Sequence, residues 1–404
     1  MTADCDVLIA GAGPAGAALA CALAHLPLRV LLVDAAPLPD PKAADRRALA
    51  LGLGSQRILQ GLDVWSTLAE QATPIRRVEV TEKGWPGVTR LAASELGQPA
   101  LGWVLGDIAL QRALLARLED SSVRRAAVAV TALADGGEAL AVTACKADGV
   151  AYQVTTRLLV AADGSDSAVC RLAGLRRHQR ELPHSVLLGR LHTDRAHSGV
   201  AHERFAAEGP MALLPGAHPL DYTVVWTLPH ERAQDLITLP AAHLIPLLQS
   251  AFGWRAGRFV ALTESRCVRL REAWLTGTTG DRLVAIGSAA NTLHPIAAQG
   301  FNLGLRDVAE LATGLAAAAA VGADPGSADL VRAYQQGRQA DWRGVRQATR
   351  WLPCLFENPA PPLAAVRGLG LASLDVLAPL KRRLMVRAMG VTAPQSRLQR
   401  GYTS

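Results

Sequence analysis

The chain has 404 residues, half of them hydrophobic and 19% charged, with a net charge of +7. That length allows two or three folding units, and that composition excludes a disordered chain. Lysine occurs only at positions 42, 83, 146 and 381, so the basic balance is almost all arginine, and with no long basic run it reads as dispersed surface charge.

The six cysteines, at 5, 21, 145, 170, 267 and 354, form no CxxC pair and no Cys/His ligand spacing. This argues against a zinc site and a disulfide framework, and for a reducing compartment. No basic segment precedes the first apolar run, so no signal peptide is expected, and no uncharged stretch is long enough to span a bilayer. A cytoplasmic protein is the expectation.

In chain order, residues 6–10 predict a short buried strand, 11–16 a Gly-rich turn, 17–24 a helix of small residues, and 29–33 a second strand closed by Asp34. This is a β-α-β unit. In its turn, Gly11 permits the tight bend, Gly13 lets the backbone approach a pyrophosphate, and Gly16 lets the helix lie on the strand. Ala15 lies within the same turn, where helix N–H groups and a positive dipole end meet phosphate. Asp34 stands where a carboxylate binds both ribose hydroxyls.

Residues 80–102 hold short alternating pieces broken by Gly and Pro. Residues 107–118 read as an amphipathic helix with Leu110, Leu114, Leu115 and Leu118 on one face. Residues 128–131 and 140–143 read as a hairpin. A buried strand at 157–162 ends in Asp163-Gly164, which is a turn beside a dinucleotide or an ordinary Asp-Gly turn. From about 180 to 275, strands at 186–192, 202–205 and 222–226 read as a second, mostly antiparallel unit. A buried strand returns at 282–286, followed by a loop from Gly287 to Asp307 and a helix from Asn302 to about Ala320. The remainder reads as helical and ends in a basic cluster. The loop is rich in Gly and small residues and leads into a helix N-terminus, an arrangement suited to an anionic ring such as a reduced flavin.

The three motifs, in this order, resemble the single-component flavin-dependent aromatic hydroxylases typified by para-hydroxybenzoate hydroxylase. The run from Thr292 through His294 and Pro295, continued by Gln299-Gly-Phe-Asn-Leu-Gly-Leu-Arg-Asp-Val308, is closest to the branch that hydroxylates 2-polyprenyl-6-methoxyphenols in ubiquinone synthesis. Arg47-Ala-Leu-Ala-Leu resembles that family's Arg-bearing cofactor segment. The stretch from Phe205 to Pro215 resembles the strand and loop on the substrate side of the flavin.

The resemblance implies an α/β fold: a Rossmann-like FAD-binding domain of GR2 type, an inserted mostly antiparallel β-sheet substrate domain, and a helical C-terminal region. The FAD-binding parts would be 1–75, 103–178 and 276–345, the substrate-domain parts 76–102 and 179–275, and the helical region 346–404. FAD is the implied cofactor, with NAD(P)H as a transient co-substrate. By position, Gly11, Gly13, Gly16 and Asp34 would hold the ADP half. Arg47, Gln111 and Arg112 would lie along the pyrophosphate and ribitol, with Asp163 and Gly164 nearby. Gly287 opens the third loop, and Ser288 would meet the ribitol where the family has Asp or Asn. Pro295 and the backbone of Ala298, Gln299, Gly300, Phe301 and Asn302 would border the isoalloxazine. Three positions depart from the family pattern: Cys170 for Arg, Ser288, and Ala298 for Gly.

In such enzymes NAD(P)H reduces the flavin, oxygen adds at C4a, and the hydroperoxide hydroxylates an electron-rich ring. His294 is the candidate base that would make the phenol a phenolate, or else a packing residue. Trp226 would line the substrate pocket or belong to the core. The implied partners are a polyprenyl phenol, O2, subunits of a quinone-synthesis complex and, through the basic apolar segment from Leu363 to Met389, the inner face of the cytoplasmic membrane. Other readings are a flavin oxidase or reductase, a hydroxylase of another ring position or phenol, and a non-catalytic flavoprotein of the quinone-synthesis complex.

Overall fold

In this computed structural model the described residues are 3–36, 45, 47–85, 87–206, 208–293, 299–357, 377–392 and 396–402, with backbone alone for 351–357. One sheet runs in the order Thr279–Gly280, Leu283–Ala285, Ala151–Ala161, Cys5–Ala10, Val30–Val33, Arg124–Ala126. Cys5–Ala10 is parallel to both its neighbours. Covered on both faces, it reads as an apolar run from Val7 to Ala10, and Val7, Leu8 and Ile9 are wholly buried. On one face pack the helices Pro14–Leu23, Asp107–Ala116 and Gln299–Ala320. The hairpin Ala129–Asp135 and Leu140–Cys145 extends from Ala151–Ala161 and helps cover the other.

The second sheet has eight strands: Asn291–Thr292, Phe259–Leu275, Arg177–Thr193, Asp221–Pro229, Met211–Pro215, Val200–Phe205, Arg77–Glu82 and Val88–Ala92. Its pairs are antiparallel except Val200–Phe205 with Arg77–Glu82. The helices His230–Ile237 and Ala241–Phe252 cover its outer face, burying Leu236, Leu244 and Leu248 against Leu213, Tyr222 and Trp226. Trp226 is therefore core, 1% exposed, packed in the cluster beneath the two helices. The opposite face of this sheet looks toward the first unit. A three-stranded sheet of Ala48–Gly52, Gly102–Gly106 and Thr73–Ile75 lies between them.

Three boundaries differ from the sequence reading. The first helix starts at Pro14, whose fixed φ and missing N–H suit the first helical position. The helix after the third motif starts at Gln299. The helix Ala328–Glu357 runs unbroken through residue 346. The two helices between 230 and 252 lie outside the sequence reading, which assigned strands to that unit.

Candidate active site

Gly11 turns the chain at φ +111°, where a side chain is disfavoured, and a Cβ there would stand 2.3 Å from the Ala162 carbonyl oxygen. A Cβ on Gly16 would lie 1.9 Å from the Gly11 oxygen. Both glycines are required by packing of protein on protein. Gly13 is different, because nothing lies within 4 Å of the position its Cβ would take. The helix Pro14–Leu23 begins there without a side-chain cap, so its first N–H groups and dipole are left for a ligand. Gly13, Pro14 and Ala15 line a cavity.

Asp34, at the end of its strand, accepts from the Ala12 N–H at 2.5 Å and the Ala36 N–H at 2.8 Å. It braces the turn while lining the cavity. Gln111 supports the turn from behind, donating from Nε2 to the Ala12 carbonyl at 2.8 Å. Neither Gln111 nor Arg112 lines the cavity, and Gly16 is buried behind it. Arg47 lines it and is held by buried Asp107, Nε to Oδ2 at 3.0 Å. Asp45 accepts from the N–H groups of Ile108 and Ala109 and so caps the helix carrying Gln111.

Asp163 and Gly164 reach the same cavity from the end of Ala151–Ala161. Asp163 Oδ2 accepts from the Val169 N–H at 3.1 Å. Its Oδ1 is buried without a hydrogen-bond partner among the described residues. A buried carboxylate oxygen left unpaired is costly, which a ligand hydroxyl would relieve. Cys170, where the resemblance had Arg, lies in the core, and burial pushes its thiol up to about 11.

The described residues of the third motif line the cavity on another side. Gly287 donates its N–H to Asp307 Oδ2 at 3.1 Å. The Ser288 side chain is exposed on the cavity wall. Gln299, Gly300, Phe301 and Asn302 all line the cavity, and the space beside the Gly300 Cα is open. The Asn302 side chain is a structural link. Its Oδ1 accepts from the Gly52 N–H and the Ser55 hydroxyl, and its Nδ2 donates to the Ala50 carbonyl. His294, Pro295 and Ala298 lie outside the described residues.

Two sets of supporting residues go beyond the sequence reading. Asp307 is fully buried and accepts from Arg338 Nε and Trp342 Nε1, each at 2.8 Å. Burial drives its carboxyl pKa up against the pull of Arg338. Arg338 also pairs with Asp341, which pairs with Arg306. Arg177, on a strand of the second sheet, donates to the Ala289 carbonyl at 3.2 Å and to Thr292 Oγ1 at 3.4 Å, fixing the loop from the other side. Asp307 ends the recognisable motif, but nothing local marks Arg338 or Arg177 as its supports.

The cavity is continuous, about 1780 Å³ in volume. One end is the glycine turn, Asp163 and the third loop. The other is the inner face of the eight-stranded sheet, with Val80, Ala212, Leu188 and Val225 on its wall. The Ala378–Ala388 helix borders it through Leu384, Met385, Ala388 and Met389.

An uncapped helix start, a carboxylate with one unpaired oxygen and an open loop joined to an apolar chamber suit a bound flavin, and the chain is an FAD-dependent monooxygenase of the aromatic-hydroxylase class. The chain belongs to the FAD-binding domain family FAD_binding_3, whose model matches residues 4–349. It is 34% identical over 395 residues to the ubiquinone hydroxylase UbiL of Rhodospirillum rubrum, covering 95% of this chain and 89% of that protein. It is 30% identical over 392 residues to the 3-demethoxyubiquinol 3-hydroxylase of Escherichia coli, covering 96% and 98%. The fold matches that of p-nitrophenol 4-monooxygenase PnpA from Pseudomonas putida with a TM-score of 0.79 at 14% identity, covering 96% and 99%. FAD is the cofactor, and NAD(P)H is the usual reductant of such enzymes.

Proposed function

We propose that the protein hydroxylates the aromatic ring of a polyprenyl phenol in ubiquinone synthesis, using NAD(P)H and O2. The observation that carries this reading is the one cavity of about 1780 Å³ joining the glycine-turn end to an apolar sheet face, with volume for more than a flavin ring. The relatives named for ubiquinone hydroxylation support it.

The helix start at Gly13 would take the FAD pyrophosphate, with Arg47 supplying positive charge. Asp34 and Asp163 would accept from ribose or ribityl hydroxyls, Ser288 would meet the ribityl chain, and Gln299 to Asn302 would border the ring. When bound, FAD supplies two-electron transfer and activation of dioxygen. The chain's own task is to position the ring, exclude water and manage the phenolic proton.

Of the basic apolar segment from Leu363 to Met389, residues 363–376 lie outside the described residues; the Ala378–Ala388 helix favours substrate uptake from a membrane surface. Leu380 and Leu384 are exposed, Met385 and Met389 are buried, and Arg382, Arg383 and Arg387 are basic. Leu384 borders the cavity, so an apolar tail entering beside this helix stays out of water. Among the described residues no helix is long and apolar enough to cross a membrane.

The test is complementation of bacterial strains each lacking one ring hydroxylase of ubiquinone synthesis, with the accumulated intermediates identified by mass. Restored ubiquinone in one strain is the expected result, and that strain names the ring position. Rescue of none removes the assignment.

A further inference from the structure

Glu203 lies mid-strand in Val200–Phe205, and the alternation of a strand separates it from its neighbours. His202 and Arg204 point to the helix-covered face. There His202 packs against Tyr222 and Phe252, 3.7 Å from Glu79, and burial pushes its pKa down to about 4. Arg204 bonds Thr81 and the Ala251 carbonyl. Glu203 points to the cavity.

On that face it stands in a cross-strand row with Val80 on one side and Ala212, Val225 and Leu188 on the other. The row meets a cation only at Arg266, four strands away, or about 19 Å at roughly 4.8 Å per strand. Met211–Pro215 carries no titratable group. On Arg77–Glu82 the acid sharing this face is Glu82, in register with Phe205 rather than with Glu203. Ile75, Leu101 and Val104, from the small sheet and its approach, also border the cavity and are uncharged. Among the described residues no hydrogen bond or ion pair engages Glu203. Part of its side chain is accessible from inside the cavity, yet protein surrounds it, and burial pushes its carboxyl up to about 7. An unpaired carboxylate in an apolar wall is costly to folding, and such groups concentrate where chemistry uses them.

We propose that Glu203 is a catalytic residue, the base that takes the phenolic proton of the ring during hydroxylation; this rests on the function proposed above. The phenol O–H bond breaks, its electron pair stays on the phenolate oxygen, and a new O–H bond forms on the Glu203 carboxylate. No electron is transferred, and the proton returns to that oxygen in the product. The phenolate donates electron density to the ring carbon that attacks, and the apolar wall keeps water from competing for the proton.

The experiment uses the FAD-loaded full chain with 2-geranylphenol, NAD(P)H and O2 across roughly pH 6 to 9, measuring hydroxylated product and hydrogen peroxide separately. Wild-type kcat should rise with pH through about 7. Glu203→Gln should keep its FAD, lose about 10²–10⁴-fold in kcat for hydroxylation, release hydrogen peroxide instead, and lose the rise with pH. Glu203→Asp should recover part of the rate together with the pH dependence. A Glu203→Gln enzyme with wild-type kcat and pH profile overturns the proposal and leaves the function standing. A loss of rate that merely follows loss of FAD marks a structural role and also overturns it. A wild-type enzyme that hydroxylates no phenol removes the function itself, and the base role with it.

Discussion

At the glycine-turn end of the cavity the lining residues include Gly13, Ala15, Gly287 and Gly300, with side chains such as Asp34, Gln111 and Asp307 bracing the turns. At the sheet end they include residues at alternate positions of several strands, with the Glu203 carboxylate set between Val80 and Ala212. Backbone recognition tolerates change in the side chains around it. A wall of side chains has no such tolerance, and each residue decides what the chamber accepts.

The largest effect should come from Gly11→Val, which adds a branched side chain at φ +111° where the Ala162 carbonyl already stands. The purified protein should be colourless and lack native circular dichroism. Asp307→Ala should come next. It leaves the Arg338, Trp342 and Gly287 donors without their shared acceptor and should cost about 3–5 kcal/mol in urea unfolding, with weaker FAD retention. Gly13→Ala separates packing from binding. Its Cβ meets nothing in the protein, so apoprotein stability should change by less than about 0.5 kcal/mol. FAD affinity should fall at least about tenfold in a fluorescence titration, or about 1.4 kcal/mol. If Gly13→Ala unfolds the protein as Gly11→Val does, the distinction between the two glycines is lost.

The smallest effect concerns the substrate end. Burial raises the Glu203 carboxyl above its ordinary value, so its ionisation opposes folding. That penalty is absent below the unfolded pKa, grows as pH rises through the folded value near 7, and is complete above it. Glu203→Gln should therefore melt above wild type at pH 8 and level with it near pH 4 in a calorimetric scan. Equal melting temperatures at both would mean the side chain is well hydrated.

The same contrast explains what was legible in the sequence. The glycines at 11, 13 and 16 and Asp34 lie within one β-α-β unit, and the third loop is contiguous from Gly287 to Asp307. Local spacing was enough to find both. Glu203 carries no local signal. Its importance comes from being flanked by Val80 and Ala212, residues brought beside it only by strand pairing. Arg338 meets Asp307 from another helix, and Gln111 acts on Ala12 from 99 residues away. Trp226 shows the converse. Its size and strand position left pocket and core open, and strand alternation places it in the core under two helices.

The most direct test of the central claim is the fate of dioxygen. The FAD-loaded enzyme is given 2-geranylphenol, NAD(P)H and heavy-isotope O2, and the product is examined by mass spectrometry. The account predicts one heavy oxygen on the aromatic ring for each NAD(P)H consumed, with the prenyl tail unchanged. NAD(P)H consumption that leaves the ring unlabelled, with all the heavy oxygen in peroxide or water, would contradict it.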